Sequence, residues 1–223
     1  TKNQRYDALT SKIMQKCLNT DSNCVDVGSH KGEVLKEMRT LSPKGRHFAF
    51  EPIPELFADL KARYNGNTTV YNFALSDVKG TTSFQHVLSK PAYSGLKLRS
   101  LDHDPKIEEI QVSTEKLDNV IPKDLNVDLI KIDVEGAELQ VLTGAKTILK
   151  EQQPVVIFEH GLGASDHYGT KPEDIYQLLV EECGMEISLL HSYLDESESL
   201  ELESFKNQFY NGHNYYFVAH PKR

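Results

Sequence analysis

A glutamate and a pair of glycines stand where short apolar segments end, and their spacing could hold a nucleoside. The first segment runs into residues 26–32, which contain Gly28 and Gly32, and the second ends at Glu51. Glu51 follows Gly28 by 23 residues, a position from which an acid accepts hydrogen bonds from ribose hydroxyls. We therefore predict ribose binding at Glu51. The alternative is a helix N-cap acid, which the prolines at 52 and 54 also favour.

The two glycines alone do not identify the ligand. Their spacing is G-x-x-x-G, whereas a dinucleotide site has G-x-G-x-x-G and a P-loop has G-x-x-x-x-G-K followed by Ser or Thr. Glycine adopts backbone angles that other residues avoid and lets a ligand approach the main chain closely. A tight turn from a strand into a helix explains Gly28 and Gly32 equally well.

A cluster of charged residues follows the fourth apolar segment. Burying an ion without a partner costs on the order of several kcal/mol, so these residues should be paired, bound to metal or placed at a pocket mouth. Asp133 ends the segment and should face the ligand, and Glu135 belongs to the turn. Lys131 is expected to pair with a nearby carboxylate. Glu138 is expected only to favour a helix N-terminus through the helix dipole.

The elements that position these residues alternate between short apolar and amphipathic segments. This alternation predicts an α/β fold with a mostly parallel sheet covered on both faces, doubly wound because its crossovers are right-handed. The seven strands are predicted at residues 23–27, 47–50, 69–73, 127–132, 154–158, 186–190 and 215–219. An N-terminal helix, in which Tyr6, Leu9, Ile13 and Cys17 recur about every fourth residue, is expected on one edge of the sheet.

One insertion, at residues 78–116, interrupts this alternation within a single domain of residues 1–223. Two added strands are predicted in it, at 81–87 and 109–114. The loop between them contains Tyr93 and Arg99 and is long enough to be functional. We weigh two interpretations of it equally, a lid over a substrate and a plain surface loop.

Composition excludes several classes of function. The 223 residues carry 25 basic and 33 acidic side chains, a net charge of −8, which argues against a nucleic-acid or anionic-membrane partner. The apolar runs are too short to span a bilayer. The three cysteines, at positions 17, 24 and 183, build no disulfide framework or metal knuckle, so we expect a cytoplasmic protein. The oligomeric state stays open.

Four blocks of the sequence together resemble the FkbM family of S-adenosylmethionine-dependent methyltransferases. They are residues 26–32, 50–52, 72–77 and 130–138, and the last block, which continues to residue 145, is the most specific. Family members commonly have Ala-Asn where this chain has Ser29 and His30. The resemblance implies a Rossmann-like methyltransferase fold with one antiparallel strand near the C-terminus.

The resemblance also implies a cofactor, S-adenosylmethionine, and a set of contacts to it. Asp26 and Gly28 would hold its amino-acid end, Glu51 its ribose, and Phe73 and Ala74 would flank its adenine. The implied cofactor-binding residues are Asp26, Gly28, Ser29, Gly32, Glu51, Pro52, Phe73, Ala74 and Asp133. The family is associated with O-methylation of hydroxyls on sugars, glycolipids and natural products, so a small-molecule or carbohydrate acceptor is the expected partner.

A hydroxyl is a poor nucleophile at neutral pH, so a general base or a metal should assist the transfer. Asp133 is the first candidate, as base or metal ligand. His160 is the second, because an unperturbed imidazole accepts a proton near pH 7. Glu135 and Glu159 complete an acidic rim around them. We assign no metal site and expect no zinc site.

Two other functions share parts of this pattern. A nicotinamide-dependent oxidoreductase would use the same ribose acid but a different glycine turn. A non-catalytic domain that binds a nucleoside or carbohydrate would need no base at Asp133. The leading hypothesis is therefore an S-adenosylmethionine-dependent O-methyltransferase.

Overall fold

The computed structural model describes residues 1–97 and 106–222, and its centre is a seven-stranded sheet. The strands of the described chain are β1 (Cys24–Val27), β2 (His47–Phe50), β3 (Thr68–Tyr71), β4 (Ala74–Leu75), β5 (Gly80–Val87), β6 (Ile107–Glu115), β7 (Leu129–Ile132), β8 (Val155–Glu159), β9 (Glu186–Leu189) and β10 (Tyr216–His220). The central sheet has the order β3-β2-β1-β7-β8-β10-β9. Only β10 runs antiparallel to its neighbours in it, which confirms the predicted doubly wound α/β fold.

Helices cover both faces of this sheet. They are α1 (Lys2–Cys17), α2 (Glu33–Leu41), α3 (Pro54–Arg63), α4 (Leu117–Val120), α5 (Glu138–Gly144), α6 (Lys146–Gln152), α7 (Pro172–Tyr176), α8 (Leu190–Leu194) and α9 (Leu202–Tyr210), and a π-helix, Gln177–Glu182, continues α7. One apolar cluster joins α5, α6, α7 and α9 to one face. Two further clusters join α1, α2, α3 and α8 to the other.

The N-terminal helix lies over the middle of the sheet, so its predicted place on an edge is wrong. Ile13 and Met14 of α1 are fully or almost fully buried, in one cluster with Leu129 of β7, Ile157 of β8 and Val218 of β10. These strands present an apolar face that α1 covers together with Met38 of α2 and Leu190 of α8. The same placement brings the first turns of α1 to the carboxyl edge of the sheet.

The strand predicted at residues 69–73 ends earlier, at Tyr71, and a separate short strand, β4, begins at Ala74. The side-chain amide of Asn72 donates to the backbone carbonyls of Glu51 and Pro52, both at 3.0 Å. These contacts turn the chain away from the central sheet after β3, and β4 then joins a second sheet. A polar residue in an otherwise apolar segment was the signal for this break.

The two long strands of the insertion, β5 and β6, form a second sheet with β4, which precedes the insertion, in the order β4-β6-β5. β5 and β6 pair antiparallel from Gly80 opposite Thr114 to Val87 opposite Ile107. Phe84 and Val112 of this sheet are buried in a cluster with Ile53 and Ala74, which fastens the insertion to the domain. Arg99, which the sequence placed with Tyr93 in the predicted lid, lies outside the described residues.

Gly28 provides a test of the packing at the end of β1. Its φ is +79°, and a Cβ there would lie 1.9 Å from the carbonyl oxygen of Asp133, whereas Gly66, at φ +69°, has open space around the same position. Gly66→Ala should cost about 1–2 kcal/mol for the left-handed backbone alone. Gly28→Ala adds the clash and should cost about 2–5 kcal/mol.

The free energies of unfolding, measured by urea denaturation, test this difference. Equal destabilisation by Gly28→Ala and Gly66→Ala would contradict the close approach of Gly28 to Asp133.

Candidate functional site

A cavity of about 920 Å³ opens at the carboxyl edge of the central sheet. Because parallel strands end at the same edge, the residues that follow β1, β2, β7 and β8 converge on it. Of the predicted cofactor and catalytic residues, those that line it are Asp26, Gly28, Ser29, Glu51, Pro52, Phe73, Ala74, Asp133 and Glu135. The first turns of α1 and residues 91–94 of the insertion supply two further walls.

Glu51 lies at this edge and is 3% exposed. Its two carboxylate oxygens accept the backbone N–H groups of His30, at 2.8 Å, and of Ile53, at 2.9 Å. Burial raises the pKa of Glu51 to about 7, and these two donors oppose the rise. The carboxylate is thus fixed in the cavity wall, and it also ties the end of β2 to the turn after β1.

Asp26 is the most deeply placed acid of the site, in the strand β1 itself and 2% exposed. Its Oδ2 atom is buried and has no hydrogen-bond partner. Burial raises the pKa of Asp26 to about 6, and the ammonium of Lys131 opposes the rise. A buried carboxylate oxygen without a donor is costly, so this atom is suited to a positively charged ligand group.

The turn after β1 is held by main-chain contacts and by tight packing. The N–H groups of Gly28 and Ser29 both donate to the carbonyl of Phe50, at 3.0 and 3.1 Å. Ser29 also donates its hydroxyl to the carbonyl of Asp26. Gly32 does not line the cavity; it is the N-cap residue that precedes α2, at φ +75°, and a Cβ there would meet Leu60 at 2.6 Å. The glycines therefore serve the packing of the turn.

Asp133 follows β7 directly, and two side chains hold its Oδ2 atom. The hydroxyl of Tyr216 donates to it at 2.5 Å, and the Lys131 ammonium lies 3.2 Å from it. Loss of water around the carboxyl favours its protonated form, but the Lys131 charge and the Tyr216 hydroxyl outweigh this and hold the pKa of Asp133 below its ordinary value. The expected pairing of Lys131 with a carboxylate is present, with Lys131 only 4% exposed.

Three acids converge beside this pair. Asp133, Glu135 and Glu159 bring carboxylate oxygens within 4.8 Å of one another. Glu135 has a positive φ of 56° and is almost completely buried. A cation could bridge such a group, but acidic side chains often cluster without one, so the metal-free site stays a prediction. The arrangement offers several acceptors to the hydroxyls of a ligand.

His160, the second predicted base, is not brought to the cavity. It is completely buried, its ring stacks on Phe209 at 4.5 Å, and its Nδ1 lies 3.1 Å from the hydroxyl of Ser165. Burial lowers the pKa of His160 to about 3. Because successive side chains of an extended segment point to opposite faces, Glu159 lines the cavity and His160 packs beneath α9.

Tyr216 also lines the cavity and is not among the residues that the sequence patterns predicted. Because β10 is antiparallel, its first residue lies opposite Glu159, the last residue of β8, and so at the carboxyl edge. Its ring stacks on Tyr6 of α1, with centroids 5.1 Å apart. Burial, and after it the Asp133 carboxylate, raise the pKa of Tyr216 well above its ordinary value, so it remains a hydroxyl donor. The predicted antiparallel strand was a signal that could have identified it.

The sequence of this chain matches one family of known proteins. The chain matches the family model described as Methyltransferase FkbM domain over residues 26–187. It is 31% identical over 159 residues to the Hexuronic acid methyltransferase AglP of Haloferax volcanii, an alignment covering 70% of this chain and 60% of that protein. It is 28% identical over 154 residues to Methyltransferase 1 of Beauveria bassiana, covering 56% of this chain and 58% of that protein.

The chain therefore spans about 60% of the length of the curated relatives it matches. Among solved structures, it is similar to that of Methyltransferase FkbM from Methylobacillus flagellatus, with a TM-score of 0.57 and 16% identity. That likeness covers 91% of this chain and 44% of the other, and at this identity it supports the fold alone. No helix among residues 1–97 and 106–222 has the length and apolar character to cross a bilayer.

Tyr216→Phe tests the contact that holds Asp133. The variant keeps the ring that stacks on Tyr6 but removes the hydroxyl that donates to the ionised carboxylate. Losing a hydrogen bond to the charged form should raise the pKa of Asp133 by about one to two units. The measurement is a pH titration of ¹³C-labelled aspartate carboxyls by NMR, with Asp133 assigned by its missing signal in Asp133→Asn.

Tyr193→Phe is the matched control, because Tyr193 is also buried but does not line the cavity. It should leave the titration of Asp133 unchanged. The same titration in Tyr216→Phe and in the unaltered protein would show that the phenol does not stabilise the carboxylate.

Proposed function

This chain belongs to the FkbM methyltransferase family, as its four sequence blocks predict, and on that premise we propose that it transfers a methyl group from S-adenosylmethionine to a hydroxyl of a sugar-type acceptor. One observation carries the proposal. A single cavity joins the ribose-type acid Glu51, the partnerless carboxylate of Asp26 and the acidic group around Asp133. Glu51 and Asp133 directly follow β2 and β7, and Asp26 is the next-to-last residue of β1, so all three lie towards the carboxyl edge, where ligands of open α/β sheets bind.

The polar groups of the cavity fit the cofactor. An ionised carboxylate offers about four acceptor positions, and the backbone N–H groups of His30 and Ile53 use two of those on Glu51. Two remain for the two ribose hydroxyls. The partnerless Oδ2 of Asp26 suits the ammonium group at the amino-acid end of the cofactor. The N–H of Gly28 donates to the carbonyl of Phe50 and is not available to the carboxylate of that end, so we assign the amino-acid end to Asp26.

The adenine would lie against the wall formed after β3. Phe73 and Ala74 line the cavity, and the ring of Phe73 is tilted against those of Phe50 and Tyr71, at 5.5 and 5.2 Å. This packing fixes an apolar wall on which a flat base can rest. Phe73 and Ala74 would then contact the adenine.

When bound, S-adenosylmethionine supplies a methyl group on a sulfonium, which is already an activated leaving group. The task of the protein is then to align acceptor, methyl and sulfur. Asp133 is ionised at neutral pH, and Lys131 and Tyr216 fix its direction. In the proposed complex the acceptor hydroxyl donates to Asp133, which orients the oxygen lone pair and takes up the proton as the new bond forms.

A sugar-type acceptor is favoured by the acids that surround Asp133. Carboxylates accept hydrogen bonds from hydroxyl groups, and Glu135 and Glu159 offer such acceptors beside the proposed reacting position. Tyr93 of the insertion adds a ring to the same cavity. The name of the Haloferax relative, a hexuronic acid methyltransferase, supports a sugar as well. Hydroxyls of glycolipids or natural products present the same chemistry.

Glu51→Ala should weaken binding of S-adenosylhomocysteine by about 100-fold or more, because two hydrogen bonds to a charged acceptor are lost. Isothermal titration calorimetry measures the affinity. The matched control is Glu55→Ala, which removes an exposed acid four residues away and should change the affinity by less than about twofold. Tight binding by Glu51→Ala, or binding of NADH in place of the homocysteine analogue, would overturn the assignment.

Asp133→Asn should leave cofactor affinity within about tenfold and reduce kcat by about 10²–10⁴-fold, because the hydroxyl that receives the methyl group loses the base that takes its proton. The assay follows methylation of a panel of sugars and glycosides by mass spectrometry. Full turnover in Asp133→Asn would remove Asp133 from the mechanism. Cofactor binding without any methylated product from the panel would favour a non-catalytic binding domain.

A further inference from the structure

A second concave surface lies between α2 and α3, outside the cavity described above. It is a shallow, open concavity of about 290 Å³, lined by Lys36, Arg39 and Thr40 of α2 and by Arg63 and Tyr64 at the end of α3. Three of these five residues are cations, although the whole chain carries a net charge of −8. Their convergence from two helices makes this α2–α3 pocket locally basic.

The two arginines flank one aromatic ring. The guanidinium carbon of Arg39 lies 5.0 Å from the ring centre of Tyr64, and that of Arg63 lies 5.3 Å from it. The Nη1 atom of Arg39 is buried and has no hydrogen-bond partner. A buried donor on a charged group is destabilising when it lacks an acceptor. The pocket therefore has a vacant place for an acceptor oxygen.

A simpler explanation covers part of this arrangement. Arg39 and Arg63 stand in the last turns of their helices, where cations interact favourably with the helix dipole. That does not account for Lys36, which lies in the middle of α2, or for the partnerless Nη1 of Arg39. Asp59 lies 2.6 Å from Arg63, so three cations face one described carboxylate.

We propose that the α2–α3 pocket binds the phosphate group of a small molecule, held by Arg39, Arg63 and Lys36. The planar fork of arginine binds phosphate oxygens in pairs, and lysine adds a point charge. A volume of about 290 Å³ is at the lower end of ligand pockets. It suits a phosphate with a small substituent better than a whole nucleotide.

Two residues of the α2–α3 pocket, Arg63 and Tyr64, also hold the outer side of the turn that ends at Gly32. Arg63 donates to the carbonyl of Lys31 at 2.8 Å, and the hydroxyl of Tyr64 donates to the carbonyl of Gly32 at 3.3 Å. The inner side of this turn carries the His30 N–H that binds Glu51. Phosphate and cofactor should therefore change each other's affinity by the same factor, a step that rests on the proposed function.

The test is calorimetric titration of the full chain with inorganic phosphate at constant ionic strength, set with sodium chloride. The expected result is saturable binding that Arg39→Gln and Lys36→Gln each weaken about tenfold or more. Matched controls are Arg5→Gln and Lys123→Gln, which remove the same charges from exposed positions elsewhere. They should change the affinity by less than about twofold.

Absence of saturable binding, or equal binding by Arg39→Gln at an unchanged melting temperature, would overturn the proposal. Glucose 1-phosphate serves as a second probe: tighter binding than inorganic phosphate identifies a phosphorylated organic ligand, and equal binding identifies the free ion. Titration with S-adenosylhomocysteine separates the two proposals. If phosphate binds and S-adenosylhomocysteine does not, the phosphate pocket is supported and the proposed function fails. If S-adenosylhomocysteine binds and phosphate does not, the proposed function is supported and the phosphate pocket fails.

Discussion

The buried ammonium of Lys131 is the charge on which the arrangement of the main site depends. It lies in β7, beside Asp26 of β1 in the strand register and 3.2 Å from Asp133. Several carboxylates at one sheet edge would repel one another and take up protons if no cation stood among them. Lys131 keeps Asp133 ionised, and Tyr216 then fixes its direction.

The site carries its negative charge at the expense of stability. Burial raises the pKa of Glu51 and of Glu138 to about 7 and that of Asp26 to about 6. An acid whose pKa is higher in the folded chain binds more protons there than in the unfolded chain. These groups therefore make the free energy of unfolding fall as the pH rises from about 4 to about 7. A positively charged ligand beside Asp26 would recover part of that loss.

The sequence predicted the sheet and much of its functional edge because both follow from short-range patterns. His47–Phe50 is a strand with the predicted bounds, and the acid after it lies in the cavity wall. The errors concern which way a side chain faces and what covers a face. His160 points away from the cavity because strand alternation continues past Glu159. The position of α1 depends on contacts with β7, β8 and β10, which are far from it in the sequence and which no local pattern encodes. For Tyr216, the expected antiparallel strand was a signal of its place at this edge, but its contacts with Tyr6 and Asp133 join distant segments.

The departure from the family pattern at Ser29 and His30 keeps the contacts that matter at this turn. His30 has a φ of +46°, a region in which Asn and His are both enriched among residues other than glycine. The contact that His30 makes to Glu51 comes from its backbone N–H, and any residue except proline supplies one. Ser29 donates its hydroxyl to the carbonyl of Asp26 and so adds a contact that alanine would lack. The turn can therefore vary in its side chains as long as its backbone is held from both sides. The end of β2 holds its inner side, and Arg63 and Tyr64 hold its outer side.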